Sequence, residues 1–421
     1  MAEILPLRAL RYDLGSVESL DAVVAPPYDV IDDELRAELA AKSPFNVVEV
    51  DLPRSPDGGD PYAHAEHAFE AWRQQGVVVR ERQPALWALE QSFSGPDGEG
   101  YVRRGFFCRV RVEDYGAGRI RPHERTHPGP KEDRLRLTRA TRTNLSPIFS
   151  LFDDPDGLAQ AALQPRTAGE PFGETTDADG TRSRLWRVAD GDAIADVQAV
   201  LADTELLIAD GHHRYETARV YADEVGGEGE HSYVLMLLVA LSDPGLEVFP
   251  THRLLTDLKT SERQEALRDA VKRDFEIEPI ESGELDSLGN EGKVAFGYMD
   301  SFHKQPYRLT LKDPAIAATA LPDRSEAYRN LDTAVLESLL LRAALGMSDD
   351  DIDHKRGLDY SKDFADALDA VESGRCDAAF FMRPTPVDQI QAVAGAGESM
   401  PPKSTYFFPK IPTGLVFNLL E

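Results

Sequence analysis

The segment Glu205-Leu206-Leu207-Ile208-Ala209-Asp210-Gly211-His212-His213-Arg214-Tyr215-Glu216 constrains the fold more than any other. A short apolar run closed by Asp-Gly reads as a buried strand that stops abruptly. Gly211 admits backbone angles that other residues resist and lets a ligand approach the main chain. The polar stretch from Arg214 to Glu224 then has helical character, so the segment is a strand, a tight turn and a helix in succession. The first N–H groups of a helix have no partner inside it and carry the positive end of its dipole, which favours an anion at the turn. Arg214 can grip a phosphate with two parallel hydrogen bonds. His212 and His213 add donors. Asp210, at the strand end, is placed to hold Mg²⁺ or to orient a nucleophile.

The 421 residues suffice for two or three structural units, and 42% hydrophobic with 29% charged content is that of a folded soluble protein. No apolar run reaches membrane-spanning length; the most apolar, Tyr233 to Leu241, is strand-sized. The start Met1-Ala2-Glu3-Ile4 lacks the basic and apolar parts of a signal peptide, so the expected location is cytoplasmic, without a membrane partner. Two cysteines, Cys108 and Cys376, can build neither a disulfide framework nor a cysteine-rich zinc site. A net charge of −28 repels nucleic-acid phosphate and argues against DNA or RNA as the main partner.

Strands are expected at 23–25, 47–52, 185–188, 205–209 and 233–241, and a hairpin joins 85–93 to 101–113. Helices are expected at 32–42, 62–75, 194–202 and 214–224. Residues 169–182 read as a surface loop. Beyond Pro250-Thr251-His252-Arg253 the texture changes: helices at 261–275, 333–345 and 362–373 alternate with strands at 293–299, 307–311 and 378–383. This divides the chain near residue 255. Residues 1–255 form a phosphate-binding core with a β-rich N-terminal part. Residues 256–421 form an α/β subdomain ending in a tail, Met400 to Lys410, too apolar to hang free.

Locally, the stretch from Arg119 to Arg142 reverses the acidic balance. Eight cations there, Arg125, Lys131 and Arg134 among them, meet only Glu124, Glu132 and Asp133. His123-Glu124-Arg125-Thr126-His127 matches the H-E-x-x-H zinc pattern, which needs both histidines on one continuous helix. Pro128, Gly129 and Pro130 follow at once and interrupt a helix there. The stretch therefore reads as an anion-binding loop, in which Glu124 can act as a general base and Arg125, Lys131 and Arg134 neutralise phosphate. Tyr28 and Asp29, after the Pro26-Pro27 turn, are further pocket candidates, as are His123, His252, Arg253 and Lys403. The common phosphate loops, G-x-x-x-x-G-K-[ST] and strand-linked G-x-G-x-x-G, do not occur.

Four motifs in order carry a family resemblance: Ala25-Pro26-Pro27-Tyr28-Asp29-Val30; Pro122-His123-Glu124-Arg125-Thr126 with Pro130-Lys131-Glu132-Asp133-Arg134; Ala209 to Glu216; and Met400-Pro401-Pro402-Lys403-Ser404-Thr405-Tyr406-Phe407. Together they resemble the bacterial and archaeal family of unknown function DUF1015. More narrowly, Asp210 to Arg214 is similar to the phosphate-handling turn of the ParB/sulfiredoxin superfamily, especially its free-serine kinases. That resemblance implies an α+β fold with a mixed-sheet ParB/sulfiredoxin-like core and an added C-terminal α/β subdomain. It also implies transfer of a phosphoryl group from ATP, ADP or another phosphoanhydride, with Mg²⁺, to a small hydroxyl compound such as free L-serine. Glu124 would take the hydroxyl proton, and Asp210 would bind Mg²⁺ or share that role. Gly211, His212, His213 and Arg214 would cradle the phosphate, with Arg125, Lys131 and Arg134 closing over the donor. Sulfiredoxins place a cysteine in this turn, where this chain has His212. A non-catalytic nucleotide-binding regulator and a metal-dependent hydrolase using His123 and His127 are the competing readings. A homodimer is compatible with all three.

Overall fold

A computed structural model describes residues 2–55, 58–95, 98–116, 119–124, 128–289 and 292–421, the side chains of residues 128–130 excepted. The chain divides into two compact units. The first comprises Met1–Pro122, Thr126–Glu247 and Pro409–Glu421; the second comprises His123–Arg125 and Val248–Phe408. The sequence places one boundary near 255, whereas this division is discontinuous.

The first unit is built on a nine-stranded mixed sheet. Its spatial order is Ile120–Arg121, Leu206–Asp210, Ile148–Phe152, Tyr233–Ala240, Gly100–Arg111, Leu86–Ser94, Arg182–Val188 and Gly173–Thr176, with Ile4–Leu5 beside Gly100–Arg111. The expected hairpin forms, pairing Leu89 with Gly105. Val234 to Val239 are all buried, as a strand covered on both faces requires. Leu206–Asp210 runs parallel to Ile120–Arg121 and antiparallel to Ile148–Phe152, and its register shifts between Ile208 and Asp210. Such a bulge re-aims the side chain that follows it, here Asp210. Helices Leu158–Leu163, Gly191–Leu201 and His212–Val225 contribute to the core with Leu163, Val197 and Tyr215.

Several local expectations change. Val48–Asp51 is a short helix instead of a strand, because buried Asn46 ties down the segment: its Oδ1 accepts from the Val48 N–H, and its Nδ2 donates to the Ala22 and Val24 carbonyls. Residues 20–23 are helical, capped by Ser19. The basic stretch expected as a loop contains the helix Pro128–Thr141. Prolines opening a helix are tolerated because the first N–H groups lack partners anyway, so they start this helix instead of breaking it. Gly173–Thr176, expected within a loop, pairs as an edge strand.

The second unit carries a six-stranded sheet in the order Phe275–Pro279, Tyr307–Leu311, Ala295–Asp300, Ala378–Phe381, His252–Leu255 and Leu358–Ser361. All its recorded pairs are antiparallel, so its helices do not link parallel strands as the expected α/β alternation would. The two faces are separately covered. Ala378 and Phe380 join one core with Leu267 and Leu340, while Ala379 and Phe381 join another with Ala367 and Val371. The helix expected at 333–345 begins as an α-helix, Asp332–Leu336, and continues as a π-helix, Glu337–Ala344. Among the described residues no helix is long and apolar enough to cross a membrane.

Candidate functional site

Gly211 caps the helix His212–Val225 in the left-handed region, φ 97°, ψ 28°. A Cβ there would sit 3.0 Å from Arg214 Nε, so conformation and space both call for glycine. Arg214 folds back over the turn. Its Nη2 donates to Asp210 Oδ2 at 2.5 Å, and its Nη1 donates to the Pro147 carbonyl. From the C-terminal segment, Lys410 Nζ donates to Asp210 Oδ1 at 2.7 Å. Each carboxylate oxygen thus takes one cation. Burial alone would raise the Asp210 pKa; the charges of Lys410 and Arg214 outweigh it and hold the carboxyl well below the usual carboxylate range.

Lys410 is held by its neighbours. Gln91 Nε2 donates to the Lys410 carbonyl at 3.2 Å, and Arg103 Nη2 donates to the Pro409 carbonyl and to Gln91 Oε1. Arg103 is buried within the sheet with its guanidinium 4.7 Å from the Phe149 ring centre. Burial pulls its pKa down to about 9, against the opposing pull of Asp243 and Asp210, so it stays cationic at neutral pH. Three cations, Arg103, Arg214 and Lys410, therefore act on Asp210.

Beside the turn lies a cavity of ≈ 40 Å³ touched by Tyr28, Asp51, Arg134, Ser146 and Arg214. That is room for a few waters, not for a nucleotide. Arg134 lies over the Tyr28 ring at 4.3 Å, and its Nη1 donates to the Asp51 carbonyl at 2.7 Å and to Asp51 Oδ1 at 3.2 Å. Ser146 Oγ donates to Asp51 Oδ2 at 3.1 Å. Burial raises the Asp51 pKa, opposed by Arg134 and Ser146, and pushes the Tyr28 hydroxyl up to about 12. Arg134 is thus committed to Asp51 and Tyr28 instead of sweeping over a donor. Asp29 adds its field at Arg214. Lys131 Nζ lies 4.0 Å from Glu216 Oε2, one turn along the helix that follows Gly211. His212 is buried and adds its field at Asp210; His213 is half-buried.

Glu124 and His123 belong to the second unit. His123 is fully buried, with Nε2 2.8 Å from Thr405 Oγ1 and its ring 5.9 Å from that of Phe407. Its carbonyl accepts from Met400 N at 2.7 Å, and Glu124 bridges to Met400. Thr405 Oγ1 lies 3.5 Å from Glu124 Oε1. The field of Glu124 reaches Arg253, a buried guanidinium that donates to the Thr251 carbonyl and, at 3.4 Å, to the Pro402 carbonyl. Met400 and Thr405 thus meet His123, and the Pro402 carbonyl meets Arg253. His252 turns out to be a core residue: the Met382 N–H donates to its Nδ1 at 3.1 Å, and the rings of Phe364 and Phe381 pack against it. Lys403 is exposed, on left-handed backbone. Arg125 and His127 lie outside the described residues.

No group of three or more His, Cys, Asp or Glu among the described residues could hold a metal ion. With both Asp210 oxygens engaged by cations, the turn does not fit a protein-built Mg²⁺ site. Arg103, Gln91, Asp51, Ser146 and Lys410 are the residues that sequence reasoning did not assign. For Lys410 the signal in the sequence was the apolarity of the surrounding segment, which does not say where the lysine points; the other four lie outside that segment.

A sequence profile described as protein of unknown function (DUF1015) matches residues 4–334. No curated protein sequence matches the chain. Among solved structures, a conserved hypothetical protein from Pyrococcus furiosus aligns with a TM-score of 0.35 and 15% identity, over 70% of this chain and 92% of the other. A free serine kinase in complex with AMP aligns at 0.35 and 16%, covering 70% and 88%. SbnI from Staphylococcus aureus aligns at 0.35 and 10%, covering 73% and 85%. Likeness at this level transfers no chemistry.

Proposed function

The chain belongs to the DUF1015 family, and on that premise we propose that it is a phosphotransferase that takes a phosphoryl group from a nucleotide to a small hydroxyl compound, free L-serine first among them. The observation that carries the reading is the convergence of Arg214, Lys410 and the charge of Arg103 on Asp210, the residue before the glycine that caps a helix N-terminus. Phosphoryl transfer asks the protein chiefly for positioning and charge neutralisation. Here the helix N–H groups and two partly exposed cations offer both. The likeness of Asp210 to Arg214 to the free-serine-kinase turn supports the choice of reaction. The same reading takes the first unit as a ParB/sulfiredoxin-like core and the protein as cytoplasmic.

In the step itself the hydroxyl oxygen of the acceptor forms a bond to phosphorus. The bond from phosphorus to the nucleotide's bridging oxygen breaks, and its electron pair leaves with the nucleotide. The hydroxyl proton needs an acceptor. Asp210, with its pKa held low by two cations, accepts protons poorly, so its role is to aim Arg214 and Lys410. Glu124 keeps the role of proton acceptor expected from the sequence. No step is assigned to a metal.

Phosphorus NMR tests the reading: purified protein with ATP, ADP or pyrophosphate, Mg²⁺ in the buffer, and a panel of free hydroxy amino acids. O-phosphoserine should form with L-serine and disappear in Lys410→Met and Glu124→Gln. Nucleotide binding without a phosphorylated product in any combination would overturn transfer and leave a nucleotide-binding regulator.

A further inference from the structure

A second concavity, within the second unit alone, encloses ≈ 430 Å³ between the helix Ser261–Asp274 and the sheet edge formed by Phe275–Pro279 and Tyr307–Leu311. That volume is within the range of small-molecule sites, about 300–1,000 Å³. Its floor is apolar, made by the buried side chains Leu258, Leu267, Val271 and Leu309. Two large apolar side chains stay open to solvent at its edge, Phe302 at 53% and Ile277 at 41%. The polar groups at one end are already matched: the Tyr298 hydroxyl hydrogen-bonds the Asp300 carboxylate, which also accepts the Phe302 and His303 N–H groups. Asp300 therefore has little left for a ligand cation.

The charge at the rim is of the opposite kind. Arg268 and Lys272 stand four residues apart on the same helix, so their side chains neighbour one another. Like charges in that arrangement repel mildly, and an anion between them reverses the sign. Among the described residues, Arg268 pairs with the exposed carboxylate of Asp269, at 3.2 Å, and with no other acid. A two-cation rim over an apolar, aromatic-walled floor stands out in a chain of net charge −28.

We infer that this cavity binds a small amphipathic carboxylic acid, its aromatic or branched aliphatic body on the Leu267–Val271–Leu309 floor and its carboxylate between Arg268 and Lys272. The site is independent of the phosphotransferase reading and needs no nucleotide.

Isothermal titration of the full chain with phenylacetate and octanoate tests it, with phenethylamine and benzyl alcohol as cationic and neutral controls. Both acids should bind more tightly than their controls. The Arg268→Glu, Lys272→Glu double variant should weaken the acids by about ten-fold or more. Phe302→Ser should weaken acids and alcohol alike. All three positions are exposed or at the rim, and circular dichroism checks that the variants fold. Absence of acid binding at millimolar concentration, equal binding of acid and amine, or acid binding unchanged by the rim variant would each overturn the assignment. So would sedimentation showing a dimer that Phe302→Ser dissolves, with no acid bound, since a second copy would then cover the cavity.

Discussion

Asp210 concentrates the physics of the turn in one carboxylate. Its oxygens each accept a cation, and the partners are only partly open to water, with side-chain exposures of 19% for Asp210, 11% for Arg214 and 17% for Lys410. Asp210→Asn leaves two cations without their counter-charge. A loss of about 2–3 kcal/mol is expected, between the values for exposed and buried pairs, and urea unfolding reads it. Removing Lys410 as well should restore part of that loss, since one unpaired charge remains in place of two. An additive double variant would show that the two side chains do not interact. Gly211→Ala imposes a left-handed alanine whose Cβ meets Arg214, so about 1–2 kcal/mol should go, with Arg214 displaced. A crystal structure of that variant with the Arg214–Asp210 pair intact would contradict the steric argument. These residue types were legible as a charged turn after a strand. The pairing was not: an arginine four positions after an aspartate can as well face a ligand, and Lys410 lies 200 positions away in sequence.

At the scale of elements, the strand His252–Leu255 shows how burial converts a candidate site residue into a structural one. His252 accepts from the Met382 N–H, and burial, aided by the charge of Arg253, lowers its pKa to about 4. An unfolded histidine takes up a proton near 6.5, so between pH 6.5 and 4 the unfolded chain holds more protons than the folded one. Stability from this residue is complete above 6.5 and is lost as pH falls, by about 3 kcal/mol at most. Urea midpoints across that window should show the slope, and His252→Phe should flatten it; a slope unchanged in that variant would place the acid sensitivity elsewhere. The sequence placed His252 beside a proline after a strand and so suggested a pocket. Its burial follows from the Met382 N–H and from the rings of Phe364 and Phe381, contacts of long sequence separation. The helix Pro128–Thr141 teaches a related point: proline's effect depends on whether it falls in the first turn, which the local sequence did not decide.

At the scale of the whole molecule, the last thirteen residues complete the first unit. Leu415, Val416 and Phe417 are buried, Leu10 pairs with Phe417, and Asn418–Leu419 pair with Thr143–Asn144. Truncation after Phe408 removes these side chains at about 1.5–3 kcal/mol each, together with Lys410. The truncated chain should lose the cooperative unfolding of the first unit and become protease-sensitive within residues 1–247; a truncation product with the full-length melting profile would refute this. By itself, the sequence determined that a buried strand lies at about residues 205–209, that Gly211 turns it, that a polar helix follows, and that a hairpin joins 85–93 to 101–113. Those features follow from local period, turn chemistry and the energy of burying apolar runs. Only the tertiary structure decided which charges meet. Arg103 turned inward to hold the segment that brings Lys410 to Asp210, Arg134 was committed to Asp51, and His252 went to the core, because ion pairing and desolvation depend on three-dimensional neighbours that sequence spacing does not encode.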